Sequence, residues 1–120
     1  SYNGPSLIIA YSPCINHGIK GGMGKSQTEQ KSAVLSGYWN NFRYDPRLLA
    51  EGKNPFMLDS KAPSESYQEF LKNEVRYSAL IRQNPDRAEE LFEQAEKQAL
   101  AKYEHLKRLE ALYSVNKDQE

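Results

Sequence analysis

The single cysteine of the chain, Cys14, and His17 three residues later are the residues best suited to chemistry. Cys-x-x-His is half of a zinc site, but the only other histidine is His105, and there is no second cysteine. Because zinc takes three or four protein ligands, the sequence argues against a zinc site within this chain. Three interpretations of Cys14 stay open: a nucleophile with His17 as its base, a buried free cysteine at the end of a strand, and one ligand of a cluster whose other ligands lie elsewhere.

A glycine-rich loop follows and ends in Gly24-Lys25-Ser26. This ending is typical of phosphate-binding P-loops, in which another glycine stands five residues before the last one. Here that position is Ile19, and Gly18 comes one residue too early. A P-loop wraps a phosphate with successive backbone N–H groups. A glycine displaced by one residue therefore weakens the prediction of a nucleotide site. The alternative is a glycine-rich turn, with an anion at the N-terminus of the next helix.

Strands predicted in the first half of the chain must position these residues. The continuously apolar start of Leu7 to Ser12 predicts a buried strand in the middle of a parallel sheet. Weaker strands are predicted at 41–44 and 56–58. A lone parallel strand has no partner, and three short strands are few for an α/β domain. We therefore expect the chain to begin partway through a sheet.

Short helices are predicted between these strands. Ser26 is the expected N-cap of a helix that runs to about Ser36, with Glu29 as its capping-box partner. Asp45 followed by proline predicts a cap and a short helix from Pro46 to Glu51 that ends at a glycine. Arg43, Asp45 and Arg47 around this turn are interpreted as a salt-bridged corner.

The second half of the chain predicts helices. Ser66 and Glu69 form a capping box that opens a helix with Phe70, Leu71 and Val75 facing inward. Asn84-Pro85 ends that helix and caps the next one. From Asp86 to about Tyr113, apolar residues recur at steps of three and four and form one helical stripe: Ala88, Leu91, Phe92, Ala95, Ala99, Tyr103, Leu106, Leu109 and Leu112. Residues 116–120 are expected to fray.

Composition excludes several classes of protein. The sixteen basic and sixteen acidic side chains of the 120 residues cancel, which argues against nucleic-acid binding by bulk charge and against a polybasic membrane anchor. The longest apolar run, Leu7-Ile8-Ile9-Ala10, is far shorter than the roughly 18 residues that span a bilayer. A lone cysteine makes no internal disulfide, and no signal peptide is visible at the start, so the prediction is a cytoplasmic protein.

Several strings in the first half resemble one enzyme family when taken in order. They are Gly4-Pro5-Ser6-Leu7-Ile8-Ile9-Ala10-Tyr11-Ser12-Pro13-Cys14-Ile15-Asn16-His17-Gly18, Gly24-Lys25-Ser26-Gln27, Ser36-Gly37-Tyr38-Trp39, Phe42-Arg43-Tyr44-Asp45-Pro46-Arg47, Gly52-Lys53-Asn54-Pro55-Phe56 and Leu58-Asp59-Ser60-Lys61-Ala62-Pro63. Together they resemble the C-terminal part of pyruvate:ferredoxin (flavodoxin) oxidoreductase.

The resemblance implies a large, multidomain, dimeric cytoplasmic enzyme. Such enzymes oxidatively decarboxylate pyruvate with coenzyme A to acetyl-CoA and carbon dioxide. They use thiamine diphosphate with Mg²⁺ and pass electrons through 4Fe–4S clusters to ferredoxin or flavodoxin. The Gly-Asp-Gly type motif that holds the thiamine diphosphate and Mg²⁺ is not in this chain, so no catalytic or cofactor-binding residue is expected here. Cys14 resembles the fourth ligand of the cluster nearest the thiamine, which makes it the one metal ligand expected in this chain.

The fold implied is α/β, the C-terminal fragment of a doubly wound thiamine-diphosphate-binding domain with a helical tail. Residues 1–63 are expected to form the end of that domain, and residues 64–120 a helical tail packed on it. Alone, the segment is expected to be inactive, and its partners are the remaining domains of the same enzyme. Two alternatives stay open: a small helical interaction module without a redox role, and a small nucleotide-binding protein.

Overall fold

The computed structural model describes residues 2–114, and within them helices dominate. A 3₁₀ turn, Met23–Lys25, leads into the first α-helix. The remaining elements, in chain order, are α1 Ser26–Leu35, β1 Phe42–Tyr44, α2 Arg47–Ala50, β2 Phe56–Leu58, α3 Tyr67–Asn73, α4 Val75–Gln83 and α5 Pro85–Tyr113. The predicted fraying of residues 116–120 lies outside the described residues.

The core lies where α1 and α5 meet α3. Its buried members are Ala33, Tyr67, Phe70, Leu71, Ala88 and Phe92. Phe70 and Leu71 are only 2% and 1% exposed, which confirms the inward face predicted for this helix. The predicted stripe of α5 is confirmed at Ala88, Phe92, Tyr103 and Leu106, which are buried, but Leu91 is 36% exposed and Leu112 is 75% exposed. Leu112 lies on the last turn, beyond the helices that cover the stripe.

The two strands form an antiparallel hairpin rather than part of a parallel sheet. Phe42 pairs with Leu58, and Tyr44 pairs with Phe56. The hairpin is fixed to the C-terminal part of α5, because the Glu110 carboxylate accepts the backbone N–H of Leu58 at 2.9 Å. In addition, the Asn54 side chain donates to the Glu110 carbonyl at 2.8 Å. The chain is thus a mixed α and β structure, as predicted, whereas a doubly wound sheet is absent from residues 2–114.

Of the four helix caps predicted, those at Ser66 and Asn84 are correct and those at Ser26 and Asp45 are wrong. Helix α2 begins at Arg47 with Pro46 at the N-cap position, one residue after the start predicted with Asp45 as the cap. The Ser66 hydroxyl accepts the Glu69 N–H at 3.3 Å, and the Asn84 side chain accepts the Arg87 N–H at 3.3 Å. Ser26 is not the N-cap of α1, since the helix begins at Ser26 itself and its cap, Lys25, makes no side-chain capping bond. Glu29 is therefore no capping-box partner: its side chain is buried, and its Oε1 has no hydrogen-bond partner in the described part of the chain.

The helix predicted to run from Ser66 to Asn84 is broken at Glu74. This residue has extended backbone angles, φ −82° and ψ 117°, and separates α3 from α4. The cause is a tertiary contact, because Ile19 forms a β-bridge with Glu74. The Lys20 N–H donates to the Asn73 carbonyl at 2.8 Å, and the Val75 N–H donates to the Gly18 carbonyl at 3.2 Å. Helical hydrogen bonds are thus exchanged for bonds to the glycine-rich loop.

The predicted strand at Leu7 to Ser12 does not form within this chain. Residues 5–14 belong to no helix, strand or turn, and every residue from 2 to 10 is exposed. Leu7, Ile8 and Ile9 are 85%, 89% and 72% exposed. The described residues provide no neighbouring strand for this segment, so its apolar side chains stay in solvent.

The chain is elongated for its length. Its radius of gyration is 18.0 Å, against about 14 Å for a compact domain of this size. It exposes 9005 Å² of surface, against about 6,600 Å² expected for a compact protein of this mass. Among residues 2–114, none of the helices has the length and apolar character needed to cross a bilayer.

Candidate functional site

Cys14 begins a turn between the exposed N-terminal segment and the glycine-rich loop. The turn is closed by the Gly18 N–H, which donates to the Cys14 carbonyl at 2.8 Å. Gly18 takes φ +80°, a backbone angle that glycine adopts without strain. Pro13 is buried, whereas Cys14 is half-buried and His17 is exposed. Contrary to the second interpretation above, the thiol is therefore not a buried free cysteine.

Hydrogen-bond donors of the turn surround the sulfur. The His17 ring nitrogen Nδ1 lies 3.2 Å from Sγ, and the backbone N–H groups of His17 and Asn16 also act on the sulfur. These donors stabilise the thiolate, with the backbone N–H of His17 contributing most, and lower the pKa of Cys14 to about 7. The thiol is thus partly ionised at neutral pH, in the form that acts as a nucleophile or a metal ligand.

The loop of residues 11–20, called here the Cys14 loop, is attached to the helices at both ends. At its start the Tyr11 hydroxyl donates to Glu74 Oε1 at 2.7 Å, and the Gln30 side chain donates to the Tyr11 carbonyl at 3.2 Å. At its end Ile19 pairs with Glu74. Both ends therefore meet at the break between α3 and α4.

Aromatic rings pack around the Tyr11 end of the loop. Tyr11 lies on Trp39, with ring centroids 5.9 Å apart, and meets Tyr38 edge-on at 5.5 Å. Tyr38 and Tyr77 share a hydrogen bond of 2.8 Å between their hydroxyls. Burial, followed by the hydrogen bond to Glu74, raises the pKa of Tyr11 well above its ordinary value. Tyr11 therefore keeps its proton and serves as a donor.

The described residues offer Cys14 no complete metal site. Across residues 2–114, no group of three or more histidine, cysteine, aspartate or glutamate side chains is placed to hold a metal ion. His105 lies on α5 and makes no such group with Cys14. What the described part of the chain can supply is one thiolate for a site completed by other ligands.

Comparison with known proteins identifies the wider context. No family model matches the chain. It is 56% identical over 108 residues to a pyruvate:ferredoxin oxidoreductase of Moorella thermoacetica and 54% identical over 109 residues to a pyruvate-flavodoxin oxidoreductase of Enterobacter agglomerans. It is also 44% identical over 109 residues to the mitochondrial pyruvate dehydrogenase [NADP(+)] of Euglena gracilis.

This chain is homologous to one segment of the pyruvate:ferredoxin and pyruvate-flavodoxin oxidoreductases. The matches to the Moorella and Enterobacter enzymes cover 90% and 91% of the chain but 9% of each enzyme. The match to the Euglena enzyme covers 91% of the chain and 6% of that protein. The resemblance inferred from the sequence is thereby confirmed, whereas the role of Cys14 stays a prediction.

The glycine-rich loop of this chain does not have a P-loop arrangement. Two of its N–H groups bond to its own carbonyls: Gly22 N–H to Ile19 at 2.9 Å and Lys25 N–H to Gly22 at 3.1 Å. They are unavailable to a phosphate. The loop instead supplies the residues that pair with the α3–α4 break, which supports the packing interpretation of the glycines.

The charged corner of the hairpin is structural, as expected. Asp45 pairs with Arg47 at 2.7 Å and also accepts its backbone N–H. Arg43 is not part of this corner, since it makes two hydrogen bonds with Asp59 across the hairpin. All four side chains are exposed and paired within the segment.

Sequence reasoning missed Glu74 and Tyr11, which join the Cys14 loop to the helices. A signal for Glu74 was present: it lies three and four residues after Leu71 and Phe70, on the inward face of the predicted helix. A carboxylate at an inward position is rare unless it is paired. Nothing in the sequence indicated that Tyr11 would be its donor, because the two residues are 63 positions apart.

Proposed function

We propose that this chain is a segment of an enzyme that oxidatively decarboxylates pyruvate with coenzyme A. The products are acetyl-CoA and carbon dioxide, and the electrons pass through 4Fe–4S clusters to ferredoxin or flavodoxin. The segment supplies one ligand, the Cys14 thiolate, to the cluster nearest the thiamine, called here the proximal cluster, and is inactive alone. The observation that carries the proposal is the identity of 51–56% with enzymes of this name over about 90% of the chain.

The chemistry of the Cys14 turn supports the role of the thiolate. Iron–sulfur clusters are held by cysteine thiolates, and N–H groups directed at the sulfur tune their potentials. Cys14 has a lowered pKa, N–H donors around its sulfur and a partly exposed side chain. Because the chain has one cysteine, the other three thiolates would come from the remaining domains of the enzyme. The cluster, when bound, carries electrons one at a time.

The exposed N-terminal segment supports the proposed fold and domains. Residues 1–63 would be the end of a thiamine-diphosphate-binding α/β domain, with residues 7–12 as a strand of a sheet that the rest of the enzyme completes. Leu7, Ile8 and Ile9 point alternately to both faces of such a strand, and all are exposed here. Residues 64–120 would be its helical tail. The thiamine diphosphate and Mg²⁺ would be held outside this segment.

The segment is proposed to play no part in choosing the electron acceptor. Relatives named for ferredoxin, flavodoxin and NADP⁺ match it at 56%, 54% and 44% identity. A surface that recognised one electron acceptor would have to differ between relatives that use different acceptors. The shared role is therefore internal to the enzyme, which we propose to be a homodimer in the cytoplasm, without nucleic-acid or membrane partners.

The test replaces Cys14 in the complete enzyme. Cys14→Ser is expected to abolish the electron paramagnetic resonance (EPR) signal of the proximal cluster and to stop acetyl-CoA formation, while the signals of other clusters remain. His105→Ala is the control, because His105 lies exposed on α5 and is the other histidine of the chain. If the Cys14→Ser enzyme kept its proximal cluster, the proposed role would be wrong.

One observation favours a second function, a helical interaction module without redox chemistry. Helix α5 exposes Leu100 at 51% and Leu112 at 75%, which could face a partner protein. The size of the native polypeptide separates the two proposals. An antibody against residues 64–113 should detect a band several times larger than 13.7 kDa that co-purifies with iron–sulfur colour. A colourless band at 13.7 kDa would instead favour the interaction module.

A further inference from the structure

We propose that Glu74 is a positioning residue that holds both ends of the Cys14 loop and so fixes the Cys14 sulfur relative to the helices. The inference rests on the proposed role of Cys14 as a cluster ligand. It assigns to Glu74 a function in the redox centre, although Glu74 lies 60 residues further along the chain and touches no cofactor.

Burying the carboxylate of Glu74 costs folding free energy, so a glutamate at this buried position requires an explanation. Its side chain is 0% exposed, and its Oε2 has no hydrogen-bond partner among residues 2–114. Burial of a charged or unpaired polar group costs free energy that an apolar residue would not cost. Departures from such packing rules are expected where a functional site requires them.

The side chain of Glu74 holds the start of the loop. Its Oε1 accepts the Tyr11 hydroxyl at 2.7 Å, three residues before Cys14. Tyr11 is further fixed by Gln30 and by the rings of Tyr38 and Trp39. The Tyr11 side chain thus has one orientation in which its hydroxyl, ring and backbone are all satisfied.

The backbone at Glu74 holds the end of the loop. Ile19 pairs with Glu74, and the flanking bonds run from Lys20 to Asn73 and from Val75 to Gly18. Gly18 also closes the turn of Cys14 with a bond of 2.8 Å. A shift of the α3–α4 break would therefore move Tyr11 and Gly18 together, and with them the sulfur between these anchors.

Only the hydrogen-bond acceptor of Glu74, and not its negative charge, is needed for this role. Glutamine offers a side-chain oxygen at the same position, so Glu74→Gln should keep the loop in place. Glu74→Ala removes the acceptor and leaves the Tyr11 hydroxyl without a partner. Tyr11→Phe removes the same hydrogen bond from the other side and leaves the fold of the α3–α4 break unchanged.

The experiment compares these variants in the complete enzyme. The measurements are the EPR line shape, amplitude and midpoint potential of the proximal cluster. Glu74→Ala is expected to reduce the proximal-cluster signal about tenfold, as changes of residues that support metal ligands commonly do. Tyr11→Phe should keep the cluster but shift its g values and potential, and Glu74→Gln should restore both to those of the unmodified enzyme.

Tyr77→Phe is the matched control. It deletes the same atom and breaks a partly buried hydroxyl hydrogen bond of 2.8 Å to Tyr38, but Tyr77 lies on α4 and not on the Cys14 loop. It should lower the melting temperature without altering the cluster. If Tyr11→Phe and Glu74→Ala also changed only the melting temperature, the inference would be overturned.

Cys14→Ser separates this inference from the proposed function. If Cys14→Ser abolishes the proximal cluster and Tyr11→Phe shifts its potential, the inference holds. If Cys14→Ser abolishes the cluster but neither loop variant alters it, only the role of Glu74 is wrong. If Cys14→Ser leaves the cluster intact, the proposed function fails, and the inference fails with it.

Discussion

The helices and the N-terminal segment of this chain contain the same apolar residue types but bury them to opposite extents. In the body formed by α1, α3, α4 and α5, Leu71 is 1% exposed and Phe70 is 2% exposed. In residues 2–10, Leu7 is 85% exposed and Ile8 is 89% exposed. Burying one such side chain is worth roughly 1.5–3 kcal/mol. The apolar side chains of the N-terminal segment thus stay exposed among the described residues, whereas the helical body buries a core of its own.

The difference arises from what each region needs in order to fold. A helix satisfies its backbone within itself and needs only a neighbour for one stripe. A strand needs at least one neighbouring strand to pair its backbone and, in the middle of a parallel sheet, cover on both faces. The helical body finds its neighbours within residues 26–113, whereas the N-terminal segment finds none among the described residues. The described chain is therefore packed in its helical half, whereas its N-terminal segment has no partner among residues 2–114.

The sharpest test of this contrast replaces one apolar residue in each region. In the chain of 120 residues, Leu71→Ala is expected to lower the free energy of unfolding by about 3 kcal/mol, because it leaves a cavity in the core. Ile8→Ala should change it by less than about 0.5 kcal/mol, as surface substitutions do. Urea denaturation followed by circular dichroism measures both values.

In the complete enzyme the effect of Ile8→Ala on stability should be larger than in the chain of 120 residues. There, Ile8→Ala is expected to shorten the half-life at elevated temperature markedly, because Ile8 would lie inside the completed sheet. A similar, small effect of Ile8→Ala in both proteins would contradict the proposal that residues 7–12 are a buried strand of the whole enzyme.

The next largest effect is expected at Gly37, where α1 turns towards the hairpin. Gly37 has φ +79°, and a Cβ there would lie 2.8 Å from Pro63 Cγ. Gly37→Ala should therefore cost about 2 kcal/mol of stability through backbone strain and overlap. Gly52→Ala is the control, because its φ is +66° but nothing lies within 4 Å. Equal losses for the two variants in thermal denaturation would show that the contact with Pro63 is unimportant.

Local signals made much of the helical body predictable from sequence. The caps Ser66 and Asn84 act over three residues, and the stripe of α5 repeats at helical spacing, so both are visible without knowledge of the fold. The hairpin strands were located correctly but their antiparallel pairing was not foreseen, since pairing is a long-range property. The family was recognised from several sequence motifs that follow one another in the same order as in the family. No single rule about residue spacing would have identified it.

Long-range contacts account for what the sequence did not show. The helical pattern after Ser66 continues through Glu74, and only the pairing with Ile19 breaks it. The N-terminal strand was predicted from its apolar run, but apolar residues cannot form a strand without a partner. At the candidate site, Cys14 was found from its residue type, whereas Tyr11 and Glu74 were not, because their hydrogen bond spans 63 positions.

A smaller and pH-dependent effect is expected at Glu29, whose carboxyl is buried within the helical body. Burial, followed by the nearby charges of Glu74 and Glu65, raises the pKa of Glu29. The folded state therefore binds this proton more tightly than the unfolded state, so stability falls as the pH rises from the unfolded pKa through the folded pKa. Glu29→Gln should stabilise the chain by about 1 kcal/mol at neutral pH.

The stabilisation by Glu29→Gln should disappear below about pH 3, where Glu29 is protonated in both the folded and the unfolded states. Urea denaturation of both chains at a series of pH values checks this. A gain that was constant with pH would show that the charge of Glu29 is not what destabilises the folded state.

The smallest effect concerns the N-terminal region, which folds locally around Cys14 even though its strand lacks a partner. The turn donors lower the pKa of Cys14 to about 7, so alkylation of the 120-residue chain by iodoacetamide should rise with pH around a midpoint of about 7. His17→Phe removes the ring donor but keeps both backbone donors, and the midpoint should therefore move only partway towards the ordinary thiol value. A midpoint already at that value in the unmodified chain would mean that the turn does not form without the rest of the enzyme. The local order of the Cys14 turn, like the strand before it, would then depend on surfaces outside this segment.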